Sequence, residues 1–249
     1  MTKLTVTVIT HNEEAHIGPA LESVSWADEI IVVDSHSTDR TCETAARYTS
    51  LVEVRDWPGY GVQKNYAASR ASNDWILSLD ADERVTPALG AEIRELMAHG
   101  PRVAGYRVPR VARYLGRWIR STDWFPDYHL RLYDRRAARW SERQVHESVK
   151  VDGPTERLRG ELLHYPYRDV SEHLATIDRY TTLIAEQWLA EGRRATPLHA
   201  FVYPPLAFFR NYILRQGFRD GRAGFLISRL NAYYVFLKYV KLMERQGQP

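Results

Sequence analysis

Short apolar runs recur through the first hundred residues, two of them ending on an aspartate. Thr5–Ile9 and Glu29–Asp34 are rich in β-branched residues and unbroken, the pattern of strands buried on both faces. Leu51–Arg55 and Trp75–Leu79 repeat it. Helix signals lie between them. Gly18-Pro19 puts a proline in a first turn, where its missing N–H is harmless, and Ser37-Thr38-Asp39 offers cap oxygens for a helix through Tyr48. After Pro58-Gly59 a helix carries Gln63, Lys64 and Asn65 in its first turns. Thr86-Pro87 opens another, with Ile93, Leu96 and Met97 on one face and a stop at Gly100-Pro101. Strands alternating with helices of about 10–12 residues predict an α/β fold with a mostly parallel sheet covered on both sides.

Beyond Gly100 the period changes. Tyr106–Val111, Tyr128–Tyr133 and Ser148–Val151 are short and alternating, which predicts an antiparallel or mixed extension of the sheet. From Ser171 to Gly192 the positions Leu174, Ile177, Tyr180, Ile184 and Trp188 return to helical spacing. Phe201–Phe209 is aromatic and reads as broken by Pro204-Pro205. A last helix, about Gly224–Arg245, aligns Leu226, Leu230, Tyr233, Leu237 and Val240 in one stripe. The expected organisation is a sheet domain over 1–165, changing character near residue 100, and a helical extension over 166–249.

Composition adds two things. At 249 residues, 44% hydrophobic and 26% charged, the chain can bury a full core and is not a disordered segment. Its single cysteine, Cys42, can form no internal disulfide, which suits a reducing cytosol. The apolar start Leu4–Ile9 is short for a secretory signal, and no run approaches the roughly 18 apolar residues of a membrane span. The net charge of +3 is unevenly distributed: residues 201–249 carry eight basic side chains against Asp220 and Glu244, a local +6 that leaves −3 for the rest. That asymmetry predicts an anionic partner for the tail.

The candidate chemistry sits at two strand ends. Ile30-Ile31-Val32-Val33-Asp34-Ser35 and Leu79-Asp80-Ala81-Asp82 both stop on aspartate, and in parallel sheets ligands bind beyond the carboxyl ends of strands. Three carboxylates on one edge suit Mg²⁺ or Mn²⁺ carrying a nucleotide diphosphate, whose negative charge grows as it departs. Asp82 is the expected metal ligand. Asp80 faces the ribose or shares the metal's water shell, and Asp34 accepts hydrogen bonds from the base or ribose. No Gly-x-Gly-x-x-Gly follows the first strand, which disfavours a nicotinamide dehydrogenase, and an acidic pocket argues against nucleic acid as the partner.

Val8-Ile9-Thr10-His11-Asn12-Glu13-Glu14, Val32-Val33-Asp34-Ser35 with Ser37-Thr38-Asp39, Gln63-Lys64-Asn65 and Leu79-Asp80-Ala81-Asp82-Glu83 occur in this order. Together they resemble the motifs of family-2 inverting glycosyltransferases of the GT-A fold, over residues 1–150. The resemblance implies that Thr10, Asn12 and Glu13 line a nucleotide pocket, that Asp34 binds the uracil or ribose, and that Lys64 lies near base and phosphates. It makes Asp80 and Asp82 the ribose and metal carboxylates, and residues 1–100 and 101–165 the donor and acceptor parts of a catalytic domain.

Inversion in one displacement needs a carboxylate to take the acceptor's proton. Trp124-Phe125-Pro126-Asp127-Tyr128-His129-Leu130-Arg131 is similar to the family's acidic motif and makes Asp127 one candidate; Glu147 is the other. His146 is expected to complete the metal shell and Arg131 to clamp the diphosphate or sit in an ion pair. His11, His36, His129 and His164 are read as structural. Trp118, Trp124 and Trp140 are read as core residues or as platforms for a sugar face. The segment Tyr212–Gly224 with Phe236-Leu237-Lys238-Tyr239 resembles bacterial enzymes that glucosylate the lipopolysaccharide inner core. That likeness implies a UDP-glucose donor and a lipid-anchored core acceptor. It also implies a peripheral position on the cytoplasmic membrane face, with the basic aromatic tail on an anionic surface. A peptide or another lipid-linked glycan is the alternative acceptor, and a non-catalytic nucleotide-sugar-binding scaffold the alternative class.

Overall fold

The computed structural model describes residues 1–141 and 148–247. Its strands are β1 (Leu4–Thr10), β2 (Glu29–Asp34), β3 (Val52–Val54), β4 (Trp75–Asp80), β5 (Glu83–Val85), β6 (Gly105–Tyr114), β7 (Arg117–Trp118), β8 (Asp127–Asp134), β9 (Ala138–Trp140), β10 (Val149–Val151), β11 (Thr155–Arg157) and β12 (Leu162–His164). Its helices are α1 (Ile17–Glu22), α2 (Thr41–Ala45), α3 (Tyr60–Ser69), α4 (Pro87–His99), α5 (Val170–Ala190), α6 (Pro197–Phe209) and α7 (Gly221–Gln246). Two compact units result, Met1–Arg110 with Asp127–His164, and Val111–Pro126 with Tyr165–Pro249.

The first unit is a mixed α/β sheet in the order β3-β2-β1-β4-β8-β6-β12-β5. Its β3-β2-β1-β4 half is parallel, whereas β4–β8, β8–β6 and β12–β5 pair antiparallel. All seven residues of β1 are buried, because both faces are covered. On one face Leu4, Val6, Val8, Val32, Leu77 and Leu79 meet Ile17, Ala20 and Leu21 of α1 and Leu89, Ile93 and Met97 of α4. On the other, Ile9, Ile31, Val33 and Ile76 meet Ala67 and Ala68 of α3, with Tyr133 and Trp140. Each fully buried Val, Leu or Ile contributes about 1.5–3 kcal/mol, so the strand pattern alone provides the main drive for this layering.

Local chemistry sets the boundaries. The Thr86 hydroxyl accepts the Leu89 N–H at 3.2 Å, Pro87 opens α4, and Gly100 closes it with φ of 87°, a conformation that favours glycine. Helices α1 and α2 have six and five residues, shorter than the spacing predicts. Asp39 accepts the Thr41 N–H at 3.0 Å at the start of α2 and the Glu14 N–H at 3.1 Å from the neighbouring loop. Past Ala45 the chain continues to Tyr48 in tighter turns, the Arg47 and Tyr48 N–H groups donating to the Thr44 and Ala45 carbonyls.

In the second unit Tyr114-Leu115-Gly116-Arg117 turns β6 into β7, with φ of 48° and 77° at the two central residues, as a primed hairpin turn requires. Helix α5 begins with a reciprocal cap, in which Asp169 accepts the Glu172 N–H at 2.8 Å and Glu172 accepts the Arg168 N–H at 2.7 Å. Pro204-Pro205 does not break α6, which runs through both. The carbonyls of Ala200 and Phe201 lose their usual donors, but neither residue is buried, so water can replace them. Helix α7 buries Ala223, Gly224, Ile227, Ser228, Leu230, Ala232 and Leu242, and is therefore the packing helix of this unit. A Cβ on Gly224 would stand 1.9 Å from the Gly217 carbonyl oxygen, so only glycine lets that first turn approach so closely.

Candidate active site

Strand register aligns the acidic edge. Thr10 pairs with Asp34 across β1–β2, and Ile9 with Asp80 across β1–β4, so three adjacent strands end together. Asp34 is 1% exposed, and its carboxylate accepts both the N–H and the hydroxyl of Ser37. The Ser37 oxygen in turn accepts the Asn12 N–H at 2.8 Å, and Asn12 Oδ1 accepts the Thr38 N–H at 2.8 Å. Asn12 adopts a positive φ of 54°, which asparagine tolerates better than most residues. The Glu13 N–H donates to Thr41 Oγ1 at 2.8 Å. Asp34 and Asn12 thus fix the two loops that rim the edge. Thr10 Oγ1, buried at the end of β1, has no partner among the described residues.

Behind the edge runs a continuous chain of charges. Lys64 Nζ lies 2.8 Å from Asp80 Oδ1 and 4.3 Å from the centre of the Trp140 ring. Arg131, 2% exposed, donates to Asp80 Oδ2 and, at 2.6 Å, to Glu83 Oε1. Glu83 is wholly buried; its carboxylate also accepts the Asp80 N–H at 3.1 Å and lies 3.4 Å from Arg110 Nη1. Arg110 then reaches Asp127 Oδ2 at 2.8 Å, and His129 Nε2 stands 2.7 Å from the same oxygen. Three acids and three permanent cations alternate along this line. Such a balanced series is how buried charge escapes the desolvation penalty of an isolated ion.

The electrostatic consequences follow. Burial raises the Asp80 carboxyl, but Arg131 and Lys64 outweigh it and hold the group well below the usual carboxylate range. Asp127 behaves likewise: burial opposes ionisation, and the His129 hydrogen bond and the Arg110 charge overcome it. His129 is lowered from its ordinary value, first by burial and then by Arg110 and Arg131, against the Asp127 hydrogen bond. Both carboxylates are therefore ionised throughout the physiological range.

Asp82 lies beyond this chain. Its Oδ2 is 3.1 Å from His164 Nε2, because β12 pairs antiparallel with β5 and sets His164 opposite Glu83. The Asp82 carboxylate is a chemical fit for Mg²⁺ or Mn²⁺, and the His164 imidazole beside it suits Mn²⁺ better than Mg²⁺. Among the described residues no group of three or more His, Cys, Asp or Glu side chains is placed to hold a metal ion by itself. His146 and Glu147 lie outside the described residues.

Of the expected residues, Thr10, Asn12, Glu13, Asp34, Lys64, Asp80 and Asp82 gather at or beside the strand edge, and Arg131 lies beneath Asp80 in an ion pair. Asp127 joins them through Arg110. Asn65 holds the Trp140 backbone with two bonds of 3.0 Å, which keeps the ring under Lys64. Trp118 and Trp124 lie in the second unit, edge-on to Tyr165 and Tyr114. Sequence alone singled out no role for Arg110, named Glu83 only within the acidic motif, and read His129 and His164 as structural. One signal was present: Glu83-Arg84-Val85 alternates, so a strand there turns Glu83 inward with Val85.

The sequence model of Glycosyl transferase family 2 matches residues 5–150. The chain belongs to glycosyl transferase family 2. It is accordingly an inverting glycosyltransferase, and its mixed sheet, parallel where the acidic strands end, is the GT-A arrangement. The family 2 chain is 32% identical to the lipopolysaccharide core biosynthesis glycosyltransferase LpsC of Rhizobium meliloti, over 98% of its own length and 93% of that protein. A Rickettsia typhi glycosyltransferase is 31% identical over 98% of this chain and 88% of its own. Among solved structures, glucosyl-3-phosphoglycerate synthase from Mycobacterium tuberculosis with Mg²⁺ and UDP is similar at 24% identity and a TM-score of 0.38. That match covers 45% of this chain, which spans less than half (44%) of the solved one.

Proposed function

We propose that this enzyme moves a hexose, glucose from UDP-glucose, onto the inner core of lipopolysaccharide at the cytoplasmic face of the membrane. The observation that carries the acceptor class is the full-length likeness to LpsC, which extends through the helical unit beyond the family-wide region. The donor reading rests on the acidic edge. Asp34 and Asp80, with Asn12, Glu13 and the unpartnered Thr10 hydroxyl, take the uridine, and Lys64 lies beside the phosphates. Arg131 acts one step back, as the buried cation that positions and ionises Asp80. Asp82 and His164, with His146 as a further candidate, would hold Mg²⁺ or Mn²⁺, which when bound stabilises charge on the leaving diphosphate.

In the reaction an acceptor hydroxyl oxygen bonds to the anomeric carbon as the bond from that carbon to the UDP oxygen breaks. The electron pair leaves with UDP, and the hydroxyl proton passes to a carboxylate on the opposite face. Asp127 is the proposed base, because Arg110 and Glu83 tie it to the Asp80 network; Glu147 is its competitor. A base with a depressed pKa suffices when the hydroxyl becomes acidic as its new bond forms.

The test is transfer from several nucleotide sugars to a purified core oligosaccharide, with the anomeric configuration of the product read by NMR. Inverted glucosyl transfer to the core is expected, lost in Asp127→Asn and retained in Glu147→Gln. Transfer to a peptide but not to the core would overturn the acceptor assignment. UDP binding without turnover on any acceptor would favour the scaffold.

A further inference from the structure

Helix α6 inverts the usual amphipathic pattern. Its buried side is Pro204 and Ala207, continued by Asn211, while its exposed side is apolar. Leu198, Phe201, Val202, Pro205, Leu206 and Phe209 recur at helical spacing, and Leu198, Phe201 and Leu206 are 67%, 80% and 55% exposed. Ile213, Leu214 and Phe218 extend the patch at 43%, 65% and 50% exposure. Patches of this kind on soluble chains mark interaction surfaces. No Asp, Glu, Lys or Arg lies within α6. Arg193 and Arg194 precede it and Arg210, Arg215, Arg219 and Arg222 follow it, all exposed. The one acid between Arg193 and Arg222 is Asp220, which is buried and accepts from the Arg120 N–H and the Ser121 hydroxyl.

From this arrangement we infer that α6 and the turn after it lie in the headgroup region of an anionic bilayer, apolar face inward and arginines at phosphate level. Thirteen helical residues span about 20 Å, short of the roughly 30 Å hydrocarbon core, so the helix lies in the plane of the surface. No described helix is long and apolar enough to cross. A second copy of this chain fits the face poorly, because a two-fold contact would bring one arginine rim against the other. Anionic lipid complements that rim. The choice of a bilayer also rests on the lipid-anchored acceptor proposed above. Helix α7 buries Ile227, Leu230 and Leu242 in packing, whereas α6 leaves its large aliphatic and aromatic residues exposed.

The full-length protein is tested by co-sedimentation with phosphatidylcholine vesicles in which about a third of the lipid is phosphatidylglycerol, and with phosphatidylcholine alone. UDP calorimetry and sedimentation velocity run in parallel. Binding to the anionic vesicles, weakened by salt, is expected. The variant F201E/L206E should lose at least about tenfold in partitioning with UDP affinity unchanged, since both side chains face solvent. The variant R215Q/R222Q should lose the preference for anionic lipid. Wild-type protein that stays in the supernatant, or F201E/L206E that binds as wild type does, overturns the assignment. So does a wild-type dimer that F201E/L206E dissociates, which would give the face to a second copy. Vesicle binding without UDP uptake would instead sink the donor reading and leave the surface standing.

Discussion

Glu83→Gln is the sharpest probe of the charge network. Glu83 is 0% exposed and bonded to Arg131 at 2.6 Å, with Arg110 at 3.4 Å and the Asp80 N–H at 3.1 Å. Glutamine keeps the shape and one acceptor oxygen. Its amide nitrogen, however, must face either the Asp80 N–H or a guanidinium, donor against donor. Three cations then share two acids. Breaking a buried pair in this way costs about 3–5 kcal/mol, against at most about 1 kcal/mol for an exposed pair. For a chain of this size that corresponds to a fall in melting midpoint of roughly 6–20 °C. Thermal and urea unfolding followed by circular dichroism read it. The double variant Glu83→Gln/Arg110→Gln restores the balance of charge and should recover about 1–3 kcal/mol as a coupling term. A single variant within about 1 kcal/mol of wild type, with no coupling, would refute the claim that Glu83 holds the network together.

Asp82→Asn should leave the fold intact and lower kcat by at least about 10²-fold; wild-type turnover would remove Asp82 from the metal role. Arg110→Gln removes a cation that lowers Asp127, so the acid limb of kcat/KM should move to higher pH, and an unmoved limb would show that Asp127 is not the titrating base. The sign for stability follows from the same depression. Ionised Asp127 stabilises the fold above the unfolded value of about 3.9, and that contribution is lost as pH falls through the lower folded value. Thr10→Val replaces an unpartnered buried hydroxyl with a methyl of the same shape. Unfolding measurements should find it neutral or stabilising by about 1 kcal/mol while calorimetry finds UDP bound more weakly; lost stability with unchanged UDP affinity would give the hydroxyl a structural role.

What the sequence disclosed is what local pattern determines. Thr5–Ile9 and Glu29–Asp34 were readable because strands buried on both faces leave continuous apolar runs, and α4 because Thr86-Pro87 and Gly100 are chemical start and stop signals. The aspartates at Asp34, Asp80 and Asp82 stood out because they terminate those runs. The rest depends on pairings made far along the chain. His164 looked like any loop histidine until β12 met β5 and brought it to Asp82, and Arg110 acquires its role only when β6 lies beside β8. Arg131 was readable from sequence as a diphosphate clamp or an ion-pair partner, and the choice of the ion pair, buried beneath Asp80, follows from the antiparallel addition of β8 to β4. Pro204-Pro205 misled for a different reason: the proline rule concerns helix hydrogen bonds, and the carbonyls of Ala200 and Phe201 that lose theirs are open to water.

In the proposed function the aligned ends of β2 and β4, with Asp82, receive a cation-bound uridine diphosphate. Calorimetric titration of UDP into the folded protein with Mn²⁺ present tests it most directly. Saturable uptake is expected, abolished by chelation of the metal and strongly weakened by Asp82→Asn. Absence of UDP uptake by well-folded wild-type protein, or uptake indifferent to both metal and Asp82, would contradict it.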